Sequence, residues 1–159
     1  ESFTCGSSFV IGGLRLHPFA TSHDAADPAG FTIQSGRFKL GLATDLGIAT
    51  GMVRHHLQSC DLLILESNHD PIMLEHGPYP WPLKQRIRSR SGHLSNEDAV
   101  RLLREVMHPR LKHVVMAHLS ETNNTPDRVR CSLAGLMSQV ATCMHIASQD
   151  VCSPLINLR

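Results

Sequence analysis

Lys112-His113-Val114-Val115-Met116-Ala117-His118-Leu119-Ser120-Glu121-Thr122-Asn123-Asn124 is the stretch that decides the fold. Its first half is a short apolar run, rich in β-branched residues, and reads as a buried strand. A histidine in a small polar loop follows at once. The same grammar recurs upstream. The run Gly13 to Thr21 leads into Ser22-His23-Asp24, Arg37 to Thr44 leads into Asp45, and Asp61 to Ser67 carries Glu66 near its end. Acids and histidines at the C-terminal tips of successive strands are how open α/β sheets build a site. Imidazole and carboxylate groups are also the ligands that zinc and manganese accept. The expectation is an α/β layered fold with part of a hydrolytic metal site along one edge.

Between these runs lie helical segments. Ile48 to Gln58 reads as a helix. Ser95 and Asp98 fit a capping box that opens a helix through Met107, with Ala99, Leu102, Leu103 and Val106 on one face. Pro126 stands at the favoured first position of a helix running to about Val140. Ser35-Gly36 between Phe31–Gln34 and Arg37–Thr44 signals a hairpin, and Ile146-Ala147 a last short strand. Pro71 to Pro82 reads as irregular, and Lys84 to Arg90 as a short helix or an extended basic loop. Alternating strands and helices point to a layered α/β domain. No linker divides residues 1–159, so a single domain is expected.

Composition bounds the function. With 42% hydrophobic and 18% charged residues, the 159-residue chain has the makings of a globular core. A net charge of +1 gives no general attraction to nucleic acid or anionic lipid. No apolar run approaches the roughly 18 residues a membrane helix needs, and no signal peptide is visible. Five scattered cysteines without a Cys-x-x-Cys pair favour reduced thiols in a cytoplasmic protein. The chain begins with Glu1 on the approach to a strand, and missing upstream sequence is expected.

Taken singly, His23 reads as a structural strand-end histidine, Asp45 as a turn or capping aspartate, and His118 as unremarkable. The set reads differently. Three potential ligands sit at strand ends beside small residues that let the backbone turn closely. A carboxylate suits a bridging position between two metals, and neutral imidazoles suit terminal ones. Asn123 and Asn124 are expected to bond the backbone of the loop that presents His118.

The order Ser-His-Asp, Thr-Asp-Leu-Gly, Leu-Glu-Ser-Asn-His-Asp, Gly-His-Leu-Ser-Asn and Ala-His-Leu-Ser-x-x-Asn-Asn resembles the metallo-β-lactamase superfamily, and within it the YycJ/WalJ-like branch. The resemblance runs from about Gly13 to about Pro126. It implies an αββα sandwich, here its C-terminal half, with two divalent ions, Zn2+ or Mn2+. It implies a hydrolase using metal-activated hydroxide, most similar to DNA exonucleases, with DNA favoured over RNA as substrate. His23, Asp45 and His118 match the superfamily's isolated, bridging and last ligands. Gly92-His93-Leu94-Ser95 is similar to the proton-transfer loop of tRNase Z, and Glu66 to the glutamate that assists it. A plain pairing of Glu66 and His93 that pins two loops is the alternative.

Lys84, Arg86, Arg88 and Arg90 lead straight into the His93 loop. They read as contacts to backbone phosphates or as a solvated basic face. His69 and Asp70 read as partners that orient the ligands, or as groups that stabilise their loop. The superfamily's His-x-His-x-Asp-His cluster is not in this chain, whose only adjacent pair, His55-His56, has the wrong spacing. The chain is therefore expected to carry part of the ligand set of a longer enzyme. Two other functions stay open. A hydrolase of a non-nucleic-acid ester, thioester or lactam would have no use for the basic run or for His93. A non-catalytic remnant or interaction protein would have no upstream ligand cluster.

Overall fold

A computed structural model describes residues 2–139 and 141–158; Glu1 and Val140, the expected end of the last helix, lie outside it. Seven strands form one sheet in the order of the chain. Strands β1 (Phe9–Ile11), β2 (Leu14–Ala20), β3 (Ala29–Ser35) and β4 (Phe38–Ala43) make an antiparallel meander. Strands β5 (Leu62–Glu66), β6 (His113–Ala117) and β7 (Cys143–Ile146) then join in parallel. Two of the three hairpins, β1–β2 and β3–β4, use two-residue loops. Gly12 and Gly13 both have positive φ, at 54° and 84°, and Gly36 has φ 56°; these backbone angles match the twist of the flanking strands. The Gly-Gly hairpin and β1 were not among the expected elements.

Parallel strands need crossovers. Helix α1 (Gly51–Leu57) links β4 to β5. Three helices, α2 (Pro71–His76), α3 (Trp81–Arg88) and α4 (Asn96–Val106), link β5 to β6, and α5 (Pro126–Met137) links β6 to β7. Helix α2 corrects the expectation that residues 71–82 are irregular. Asp70 accepts a hydrogen bond from the Met73 N–H and Pro71 follows it, the same cap-then-proline pattern that opens α5 at Thr125-Pro126. Ser95 caps α4 by accepting from the Asp98 N–H.

Helices α1, α4 and α5 cover one face of the sheet. Ala43, Leu63, Leu65, Val114 and Met116 from the strands pack against Val53, Leu57, Leu102, Leu103 and Leu133. The opposite face is apolar as well: Leu16, Ile33 and Leu40 stand in register, as do Phe31, Leu42 and Ile64, all half-buried. An apolar second face is what sheet-on-sheet packing in an αββα sandwich requires. Among the described residues, no helix is long and apolar enough to cross a membrane.

Candidate metal centre

The C-terminal ends of β2, β4, β5 and β6 converge on a cavity of about 530 Å³ lined by His23, Asp45, His93 and His118. Glu66, the last residue of β5, lies beneath it. Its side chain is fully buried and accepts four hydrogen bonds. Oε2 takes the backbone N–H groups of Leu46 (2.9 Å) and Leu94 (3.1 Å), and Oε1 takes Nδ1 of both His93 and His118 (2.7 Å each). Burial alone would raise the Glu66 carboxyl, but the bonds from His118, His93 and the Leu94 N–H outweigh it. They hold it at about 2 instead of 4.5. The carboxylate is therefore ionised, and because it can only accept, both imidazoles carry a proton on Nδ1. The bond to Glu66 in turn raises the His118 pKa.

His23 is tied in the same way, its Nδ1 donating to the Gly92 carbonyl at 2.9 Å. All three rings thus have Nδ1 committed to the protein. Nε2 of His23 is the ring atom nearest Asp45, 3.5 Å from Oδ1. The same oxygen lies 3.8 and 3.9 Å from Nδ1 of His118 and His93. Asp45 and His118 are two of the three non-glycine residues with positive φ among the described residues, at 53° and 57°. Asp and His enter this left-handed region more readily than most residues. Such strain is held only where the surroundings over-determine it, commonly at functional sites.

The loop holding His93 is wedged against that of Asp45. A Cβ on Gly47 would stand 2.3 Å from the Arg90 carbonyl oxygen. One on Gly92 would stand 2.2 Å from the carbonyl oxygens of Arg86 and Ile87. Only glycine permits these approaches.

The β-lactamase superfamily domain model matches residues 1–119, which contain every strand-end residue of this cavity. The chain belongs to the β-lactamase superfamily. It is 35% identical over 137 residues to exodeoxyribonuclease YycJ of Bacillus anthracis, covering 86% of this chain and 52% of that protein. It is 30% identical over 162 residues to exodeoxyribonuclease WalJ of Streptococcus pneumoniae, covering 98% and 60%. The chain thus spans little more than half of each relative. The metallo-β-lactamase fold protein YhfI from Bacillus subtilis superposes with a TM-score of 0.67 at 17% identity, over 91% of this chain and 51% of that one.

Superfamily membership implies divalent metal use, and the donors here fit it. Asp45, Glu66, His93 and His118 each offer a ligand atom within 4.8 Å of the others, although the Glu66 oxygens are taken up by four N–H groups and His23 stands outside this group. Two ligands about 2.1 Å from one ion in tetrahedral geometry stand roughly 3.4 Å apart. The 3.5 Å between His23 Nε2 and Asp45 Oδ1 is close to that separation. Imidazoles whose Nδ1–H groups are held by a carboxylate or carbonyl, with Nε2 left over, are the usual form of metal-binding histidine.

The other residues singled out in the sequence are dispersed. Lys84 is buried, and its ammonium donates to the carbonyls of Glu75 and Gly77 at 2.7 Å each. Arg86 lines the cavity but is paired with Asp24, whose carboxyl it holds below the usual range. Arg88 donates to the Pro71 carbonyl at 3.3 Å, and with Arg90 it faces a separate cleft. His69 is buried away from the cavity lining, and burial pushes its imidazole down to about 4, so it is neutral. Asp70 caps α2.

The bond to the His118 carbonyl comes from Asn68, not from Asn123 or Asn124. Asn124 instead ties Ser67, Asn68 and Asn96 together, and the Asn123 side chain has no hydrogen bond among the described residues. Asn68 and Tyr79 also line the cavity and were missed. Nothing in their spacing marks them, although Tyr79 is the chain's single tyrosine.

Proposed function

We propose that this chain supplies His23, Asp45 and His118 to the metal site of a cytoplasmic phosphodiesterase that degrades DNA, with zinc or manganese, two ions in all, as cofactor. The observation that carries the reading is the single Glu66 oxygen bonded to both His93 and His118 under the cavity. A divalent ion bound there would polarise a phosphoryl oxygen and make water acidic enough to ionise near neutral pH. His93, its Nδ1 proton held on Glu66, presents Nε2 to the cavity. From that atom it passes a proton to the leaving oxygen as the P–O bond breaks. Glu66 fixes the ring and balances the charge. Arg86 would exchange Asp24 for a substrate phosphate oxygen, which suits a guanidinium fork. The exodeoxyribonuclease names of the two curated relatives support the choice of DNA.

The test is metal content and cleavage of single-stranded DNA by the whole protein, alongside His93→Ala. Bound metal with DNA cleavage, and a fall of about 10²- to 10⁴-fold in turnover for His93→Ala at unchanged metal content, is expected. Metal-loaded protein that leaves DNA intact would remove the nuclease reading. A His93→Ala variant as fast as the parent would remove the proton-donor role.

A further inference from the structure

Behind the wall formed by residues 45–48 and 90–92 lies a second cleft, of about 240 Å³. Four arginines line it: Arg54 from α1, Arg88 at the end of α3, Arg90 before the His93 loop, and Arg101 from α4. Two carboxylates share it, Glu105 beside Arg54 at 3.3 Å and Asp98 beside Arg101 at 2.7 Å. Among the described residues the Arg90 guanidinium has no hydrogen bond or ion pair, and Arg88 meets its nearest carboxylate, Glu75, only at 3.8 Å. With Glu75 counted as the partner of Arg88, four guanidinium groups stand against three carboxylates and leave Arg90 as a local excess of positive charge. The whole chain balances 15 Lys and Arg against 14 Asp and Glu, so this excess is a local one.

We propose that this cleft binds the sugar–phosphate backbone of the nucleic-acid strand that continues past the metal centre, an inference that rests on the nuclease reading above. Three features favour a polyanion. Guanidinium groups present planar, paired donors that match phosphate oxygens. The wall between cavity and cleft is thin, because Gly47 and Gly92 let its two loops pack backbone against backbone. Asp45 lines the cavity and Gly47 lines the cleft. Two residues separate them by at most about 7 Å. That distance is about two nucleotides at the ~3.4 Å rise of a stacked strand. The strand leaves the metal centre, passes over this wall and places its next phosphates among Arg90, Arg88, Arg54 and Arg101. The charge thought to serve the His93 loop from the front thus acts from behind it.

The test is equilibrium binding of a fluorescein-labelled 12-nucleotide single strand to the whole protein in EDTA, by anisotropy across a potassium chloride series. The parent is compared with Arg90→Ala/Arg101→Ala and with Arg90→Lys/Arg101→Lys. Each phosphate contact contributes about 0.7 to the slope of log affinity against log salt. The alanine pair should therefore flatten the slope by about 1.4 and weaken binding about 25-fold at 0.1 M salt, the curves converging near 1 M. The lysine pair should keep the parent slope. A labelled dinucleotide, too short to reach the cleft, should bind parent and alanine pair alike. Alanine and parent slopes that coincide would overturn the cleft while leaving the nuclease reading intact. So would a lysine pair that loses as much as the alanine pair. A parent protein that binds neither oligonucleotide would bring down the nuclease reading and the cleft together.

Discussion

Replacing Glu66 by glutamine tests the centre of the site with almost no change of shape. Glu66 is fully buried and takes four N–H groups, two from the backbone and two from imidazoles. A glutamine can leave its carbonyl oxygen on the Leu46 and Leu94 N–H groups. Its amide nitrogen then faces Nδ1 of His93 and His118 and must donate to them. Both rings are forced into the opposite tautomer, with the proton on Nε2, the nitrogen that a metal or a leaving group would use. Charged hydrogen bonds exceed neutral ones by about 1 kcal/mol each, so the metal-free protein should lose about 2–4 kcal/mol. The carboxyl offers an independent figure: held at about 2 instead of 4.5, it contributes about 3 kcal/mol at neutral pH.

The sign follows from the direction of the shifts. A depressed carboxyl stabilises the fold fully above 4.5, and the contribution fades as pH falls toward 2. The same contact seen from His118, whose pKa is raised, is complete below 6.5 and fades as pH climbs through the raised value. The gap between parent and Glu66→Gln should therefore be widest between about pH 4.5 and 6.5 and narrow on either side. Urea unfolding in EDTA at half-unit pH steps measures it. Competition with a chelating dye should at the same time show metal affinity reduced by at least 10-fold. A variant that unfolds at the parent's urea midpoint at pH 5.5 would refute the whole account of Glu66 as an ionised hub.

Asp45→Asn should retain the fold, since asparagine tolerates positive φ, but should come out of metal loading with less bound ion; undiminished content by elemental analysis would exclude Asp45 as a ligand. Gly92→Ala should destabilise by about 2–4 kcal/mol, because its Cβ meets two carbonyl oxygens at 2.2 Å; a melting temperature within a degree of the parent would show that the loop yields easily. Asn124→Ala removes the bonds that Asn124 makes to the Ser67 carbonyl and to the Asn96 side-chain N–H, while the Asn68 carbonyl keeps the Ser120 N–H and Asn96 Oδ1 keeps the Ser67 hydroxyl; it should cost about 1–3 kcal/mol in urea unfolding, whereas Asn123→Ala, which breaks no side-chain bond among the described residues, should cost clearly less.

Strand-like runs that end in His23, Asp45, Glu66 and His118 were legible because side-chain chemistry and local periodicity are both written in one dimension. So were the cap at Ser95 and the proline at Pro126. The α2 helix was misread because the prolines of residues 71–82 were taken as breakers, although Asp70-Pro71 is itself a helix start. The basic run shows the limit most clearly. Lys84, Arg86, Arg88 and Arg90 alternate in sequence, yet on a helix of 3.6 residues per turn the first three point in different directions, and Arg90 lies beyond the helix end. One is buried on backbone carbonyls, one meets Asp24 over the cavity, and two turn to the cleft behind. Sequence alone determined that His23, Asp45, Glu66 and His118 stand at or just beyond strand ends. Only the tertiary structure decided that Glu66 serves two histidines at once, and that Arg54 and Arg101, far away along the chain, stand beside Arg90. Those facts depend on parallel strand register and on loops pressed together at glycines, contacts between segments distant in sequence that no local pattern encodes.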